Sequence, residues 1–301
     1  MRFDLTDLRL FALTVEAGSI TAGAERAHLS LPSASERLRG MEDAAGVILL
    51  ERGRRGVTAT RAGEVLYRHA MIMLRQAEHL RAELGEFAGG LTGKVRLLSN
   101  TAALTEFLPS ALAPWLARNP HVDIDLRESV SRDIVRAVAA GSAEIGIVSG
   151  AVATGSLCTR PFGLDQLVLV VPREHPLAGL GQIAFRDALR HELVGLTTGS
   201  ALQSYLEDQA ERAGLVFRLR VRVRSFDDIC LMVAHDAGLG IVSETAARRA
   251  LRSLDIAFIR LEDSWARRQL LLCFQPPGTL APAARNLTEH LAEAGVRATA
   301  P

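Results

Sequence analysis

The sequence predicts an α/β protein in two parts. An N-terminal winged helix-turn-helix sits on a long linker helix, and a two-lobed α/β domain follows. Three observations predict this. Two short helical segments, 21–28 and 31–41, meet at Leu29-Ser30 and lead to the turn Gly53-Arg54-Arg55-Gly56. A 3.5-residue apolar repeat runs from Leu66 to Phe87 and stops at Gly89-Gly90. From Lys94 onward, strand-like and helix-like segments alternate.

Leu5, Leu8, Phe11, Ala12 and Val15 recur at helical spacing, and Gly18 ends the pattern. Ser19 or Thr21 opens the second helix. Ser30 caps the third, with Pro32 in the first turn, where a missing N–H costs nothing. In this motif the later helix presents its N-terminal residues to a DNA major groove. Leu38 and Met41 point to the core, which leaves Ser33, Ser35, Glu36, Arg37 and Arg39 outward. Segments 47–50 and 57–60 pair as a wing around the arginine turn. The net charge of +1 does not favour a polyanion, so any positive field is local. It is supplied by Arg52, Arg54, Arg55 and Arg61, opposed there only by Glu51. Candidate DNA contacts are Thr21, Ser33, Ser35, Arg37, Arg39, Arg52, Arg54, Arg55 and Thr60. The Thr21 hydroxyl serves either as a phosphate ligand or as a plain cap.

Residues 63–87 read as one helix. Its seam of Leu66, Ala70, Met73, Ala77, Leu80, Leu84 and Phe87 predicts a homodimer; the alternative is a helix laid on its own domain. The glycines at 89–93 form a hinge. The domains expected are 1–62, 63–90 and 91–301. In the last, strands fall at 95–98, 122–126, 145–148, 167–171, 192–196, 216–223, 240–242, 256–261 and 270–274. Helices run up to 118 and over 131–140, 200–213, 226–234 and 282–294. The expected lobes are about 91–161 with 268–301, and about 162–267.

Several classes are excluded. Cys158, Cys230 and Cys273 are far apart, without a Cys-x-x-Cys or Cys/His cluster, so neither a metal nor a disulfide is expected, and no cofactor. No apolar run approaches the roughly 20 residues of a membrane span, and the N-terminus lacks the apolar core of a signal peptide. A cytoplasmic protein without membrane contact is expected. The nucleophile-elbow, zinc-helix and P-loop motifs of enzymes are absent. Asp227 and Asp228, adjacent on a helix, point apart and form no acid/base pair.

Phe11, Ala17-Gly18-Ser19, Pro32, Ser35, Glu42, Gly46, Leu50-Glu51-Arg52 and the residues 60–63 fall in order at a familiar spacing. Pro109, the 141–145 step with Glu144 in place of Asp, His175-Pro176-Leu177 and Gly238-Leu239-Gly240-Ile241 continue it. The chain thus resembles the LysR-type transcriptional regulators over nearly its whole length. The resemblance implies a dimer or tetramer on dyad-symmetric promoter DNA, with RNA polymerase as a further partner. It also implies a sensor domain like the type 2 periplasmic binding proteins, in which a small ligand alters DNA binding or bending.

Departures are Leu31 where Gln is usual, Glu36 where a basic residue is common, and Gly23 for a common Ala, which weakens the second helix. Glu36 either accepts from a cytosine amino group or pairs with Arg37 or Arg39. Carried over from the family, the effector-binding residues are Ser99, Asn100, Thr101, Ala102, Ser131, Thr197, Thr198, Ser200 and Phe226. They lie at helix starts, where free N–H groups favour an anionic effector; the alternative is capping alone.

Overall fold

Helix capping sets the first turns of the chain. Asp4 accepts from the Asp7 N–H at 2.8 Å, and the Asp4 N–H donates to the Asp7 carboxylate at 3.1 Å. This reciprocal pair starts α1 (Leu5–Ala17), which ends at Gly18 in the left-handed conformation, φ 60°. The computed structural model describes residues 3–53, 56–89 and 91–299. The chain divides into two compact units, 1–90 with Ala140–Ser142, and 91–139 with 143–301.

In the first unit Ser19, rather than Thr21, caps α2 (Ile20–Arg26), accepting from the Ala22 N–H at 3.4 Å. Ser30 caps α3 (Leu31–Ala45), which runs one turn beyond the expected Met41. Leu10, Phe11, Leu38 and Met41 form the core with Leu49 and Ala70. The wing is shifted from the expected 47–50. Its strands are β1 (Leu50–Gly53) and β2 (Gly56–Ala59), antiparallel with Leu50 opposite Ala59.

Gly23 has a role that its helix propensity hides. A Cβ there would lie 2.5 Å from Thr14 Oγ1 and 2.7 Å from Thr14 Cα. Only glycine lets α2 approach α1 so closely.

Helix α4 (Arg61–Gly89) is about 44 Å long at 1.5 Å per residue. Its apolar seam divides in two. Leu66 and Ala70 pack into the core of their own unit. Met73, Leu80 and Leu84 are 54%, 58% and 60% exposed. The Phe87 side chain lies outside the described residues. The expected continuous seam is thus corrected: its first turns serve the monomer.

The second unit is a ten-stranded sheet in the order β4-β3-β5-β12-β6-β10-β8-β9, with β11 attached to β6 and β7 to β11. Strand β6 (Cys158–Pro172) belongs to both lobes. Its first part pairs with β12 (Arg267–Phe274), and its apolar end, Leu167 to Val171, pairs with β10 (Leu239–Ser243) and β11 (Ile256–Leu261). One lobe holds β3 (Gly93–Ser99), β4 (Val122–Glu128) and β5 (Ile145–Ser149), with α5 (Leu108–Arg118), α6 (Ser131–Ala140) and α11 (Pro282–Thr299). The other holds β7 (Gln182–Ile183), β8 (Leu193–Leu196) and β9 (Leu219–Val223), with α7 (Phe185–Ala188), α8 (Ala201–Arg212), α9 (Phe226–Ala234) and α10 (Glu244–Ala250). Separate hydrophobic cores fill them. Parallel pairing is confined to each lobe's own strands, and the strands that cross between lobes are antiparallel. Strand β9 starts three residues after the expected 216, and α7 and α10 were not foreseen.

Burial pushes the Cys230 and Cys273 thiols up to about 12, while Cys158 is half-buried. Among the described residues no cluster of His, Cys, Asp or Glu is suited to a metal ion, and no helix is long and apolar enough to cross a membrane.

Two outcomes are expected. Gly23→Ala lowers the stability of the N-terminal unit by about 1–3 kcal/mol despite alanine's better helix propensity, because the methyl group overpacks against Thr14. Urea unfolding followed by circular dichroism reads this, and an unchanged midpoint rejects the contact. A thiol reagent at pH 8 titrates only Cys158 in the folded protein and all three cysteines in urea. Two or more reactive thiols in the folded state reject the burial.

Candidate functional sites

The outer face of the first unit is built on α3. Arg39 and Glu36 are exposed and make no ion pair among the described residues, and Ser33 and Ser35 are half-buried. Thr21 is exposed in the first turn of α2. Arg37 is held by α1: its Nη1 lies 2.6 Å from Asp7 Oδ1 and 3.5 Å from Asp4 Oδ2. The expected alternative of a Glu36–Arg37 pair is therefore not what the chain forms. The hydrogen bond to Asp7 raises the Arg37 pKa further. The backbone N–H of Asp7, with Arg37 beside it, lowers that of Asp4. Arg37 thereby braces α3 against α1.

Thr60 spends its hydroxyl on the start of α4, accepting from the Gly63 N–H at 3.0 Å and donating to Ile48 O at 2.8 Å. Arg54 and Arg55 lie outside the described residues, as does the side chain of Arg52. The wing itself is anchored by Glu42, whose Oε1 accepts from the N–H groups of Leu49 and Leu50 at 2.9 and 3.1 Å. Val57 N–H donates to Gly18 O at 2.8 Å, and a Cβ at Gly56 would meet that oxygen at 2.3 Å.

In the second unit, a cavity of about 280 Å³ opens between the lobes. It brings together Thr101, Thr197, Thr198, Ser200 and Phe226 of the expected effector residues. Phe226 is only 3% exposed and belongs to its lobe's core. Ser99, Asn100, Ala102 and Ser131 do not line this cavity. Ser99 and Ala102 are buried. Asn100 Oδ1 accepts from the Ala103 N–H at 2.9 Å and starts the helical turns before α5, while its Nδ2 is buried without an acceptor. Ser131 Oγ accepts from the Ser149 N–H at 3.1 Å and ties α6 to β5.

Sequence reasoning missed Glu128, at the C-terminal end of β4, and Arg224, just before α9. Both line the cavity. Glu128 Oε1 reaches across to the start of α8. It accepts from Ala201 N–H at 2.8 Å, Ser200 Oγ at 3.2 Å and Thr101 Oγ1 at 2.5 Å. Thr101 Oγ1 in turn accepts from the Leu202 N–H at 2.9 Å. The expected carboxylate at this helix start is thus the chain's own. The available signal was its place beyond a strand's carboxyl end, where α/β sheets gather ligands. Arg249 on α10 makes a second clasp, holding Glu106 of the opposite lobe and Asp227 Oδ1, the latter at 2.9 Å. These carboxylates raise its pKa, the Glu106 hydrogen bond most.

Comparison with known proteins agrees with this arrangement. The family model described as a bacterial regulatory helix-turn-helix protein of the lysR family matches residues 5–64. The model described as the LysR substrate binding domain matches residues 88–295. The HTH-type transcriptional regulator CysL of Bacillus subtilis is 25% identical over 269 residues, covering 89% of this chain and 90% of its own. A probable RuBisCO transcriptional regulator of Cyanidioschyzon merolae is 25% identical, covering 91% and 92%. Among solved structures, a full-length OxyR variant from Pseudomonas aeruginosa aligns with a TM-score of 0.67 at 20% identity, covering 98% of this chain and 95% of that one. Full-length CbnR in complex with its target DNA aligns at 0.61 with 22% identity, covering 99% and 100%.

Glu42→Ala should leave the Leu49 and Leu50 N–H groups without their acceptor, at a cost of about 1–3 kcal/mol. Hydrogen exchange at these two amides is expected to rise about tenfold or more while the α1 amides stay protected. Unchanged exchange at both positions means that another group holds the wing.

Proposed function

The chain belongs to the LysR family of transcriptional regulators, which are DNA-binding proteins and not enzymes, and we propose that it binds dyad-symmetric promoter DNA as a dimer or tetramer. A small molecule in the inter-lobe cavity alters that binding or the DNA bend, and RNA polymerase is the further partner. The site of action is the cytoplasm.

The observation that carries this reading is the outward N-terminal face of α3. Ser33, Ser35 and Arg39 are available to DNA there, while Arg37 is engaged behind them. Leu31, 45% exposed at the start of α3, offers an apolar contact to a thymine methyl. Arg52, Arg54 and Arg55 of the wing and the exposed Thr21 supply phosphate contacts. The solved CbnR complex, which has this fold, contains target DNA. The exposed Met73, Leu80 and Leu84 on α4, with Ala77 between them, support pairing with a second copy. The finer expectation of an anionic effector is narrowed, because Glu128 already fills the start of α8.

Footprinting on the DNA upstream of its own gene tests the whole reading. Two protected major-groove segments are expected about one helical turn, or a multiple of it, apart, with affinity falling steeply as salt rises. Met73→Glu with Leu80→Glu should halve the mass seen by light scattering and remove the paired footprint. Unchanged mass rejects the α4 seam, and the absence of any protection at low salt rejects the DNA reading.

A further inference from the structure

The cavity that the function assigns to an effector carries two opposite fixed charges and no others. Glu128 and Arg224 are the charged residues of its lining, and the rest is mainly hydroxyl-bearing: Thr105, Thr197, Thr198 and Ser225. The two carboxylate oxygens of Glu128 are in different situations. Oε1 is saturated by Thr101, Ser200 and the Ala201 N–H. Oε2 makes no hydrogen bond among the described residues. Arg224 is exposed and makes no ion pair among the described residues. Its neighbours on the same strand face differ in this: Arg222 pairs with Glu207 at 3.1 Å, and Arg220 with Glu192 at 3.5 Å.

We propose that this cleft takes a small zwitterion, an α-amino acid, with its ammonium group on Glu128 Oε2 and its carboxylate on Arg224. The proposal rests on the cavity being the effector site. A simple carboxylate is disfavoured for two reasons. The N–H groups of Ala201 and Leu202, which would have received it at the start of α8, are already used by Glu128 and Thr101. It would also bring a second negative charge beside Glu128, where like charges repel. A simple amine leaves the Arg224 guanidinium without an acceptor in the cleft. A ligand bearing both charges satisfies both ends, and the cavity of about 280 Å³ suits a molecule of that size. Arg224 offers the planar donor fork that a carboxylate accepts in bidentate fashion. The neutral hydroxyls between the ends impose no further charge.

The test uses the full-length protein. The twenty standard L-amino acids are compared by thermal shift and calorimetry, each beside its des-amino acid and its decarboxylated amine (for alanine, propionate and ethylamine). At least one amino acid is expected to raise the Tm and bind, with both truncated partners weaker by about tenfold or more. Glu128→Gln and Arg224→Gln should each weaken that amino acid by a similar factor while circular dichroism stays unchanged. Equal binding of the des-amino acid or of the amine overturns the proposal, as does the absence of any shift across the amino-acid set. Footprinting with the bound compound separates the two readings. A simple acid that binds and changes the footprint rejects the zwitterion and keeps the cleft as sensor. An amino acid that binds through Glu128 and Arg224 without changing the footprint keeps the site and rejects its regulatory role.

Discussion

Asp165 and Arg268 face each other on β6 and β12, the two strands by which the chain passes between its lobes. Both are buried, at 2% and 7% exposure. Arg268 Nε donates to Asp165 Oδ2 at 3.0 Å, its Nη2 donates to the same oxygen, and Ser243 Oγ donates to Oδ1 at 2.7 Å. Both carboxylate oxygens thus have donors. That is the condition under which a buried ion pair is tolerated, since losing one partner costs about 3–5 kcal/mol. The pair is a poor source of net stability and a strong source of specificity. It fixes the register of the crossing strands, and so the direction in which the second lobe leaves the first. The Arg268 guanidinium also lies 5.4 Å over the Tyr205 ring, whose hydroxyl donates to Trp265 O at 3.2 Å. Tyr205 is on α8, so the crossing point aims the helix whose first turn receives Glu128.

Lobe closure then rests on three carboxylates of different character. Asp165 is sealed at the crossing. Glu106 is held by Arg249, and its side chain has no exposed surface. Glu128 sits at the solvent-facing cavity and uses one oxygen for the clasp. Only the last is placed to exchange partners with a ligand without breaking a buried charge pair. A molecule bound there would act on the link that involves no ion pair.

Much of this architecture was legible in the sequence because it is written in local periodicity. Helices α6 and α9 and strand β11 fall at the spacing of their apolar residues, and the run from Leu167 to Val171 is buried throughout, as its composition implies. The wing was misplaced by three residues because Val47 and Ile48 look strand-like but are 48% and 67% exposed. Pairing begins where Glu42, on another element, fixes the Leu49 and Leu50 amides. Gly23 looked like a weakened helix position because its reason is a neighbour, Thr14. Hydroxyls near the cleft were found by their helix-start pattern. Glu128 was not, since its partners lie 27 and 73 residues away in sequence. Local chemistry predicts what a segment is, and only the fold decides whose charge fills its helix ends.

The linker helix shows the same division between local pattern and context. A 3.5-residue repeat from Leu66 to Phe87 has the form of one interface, yet Leu66 and Ala70 are consumed by the core of their own unit. That anchors the first turns of α4 to the helix-turn-helix through α1, with Tyr67 donating to Glu16 at 3.2 Å. Along the seam, large exposed side chains begin at Met73 and become most exposed at Leu80 and Leu84. A dimer formed through the later turns would therefore grip a rod already rigid with its DNA-binding head. The spacing of two heads would follow from the length of α4 rather than from contacts between the heads themselves. In such a dimer, half-site separation on DNA would be set by helix geometry, 1.5 Å for each residue between core and seam.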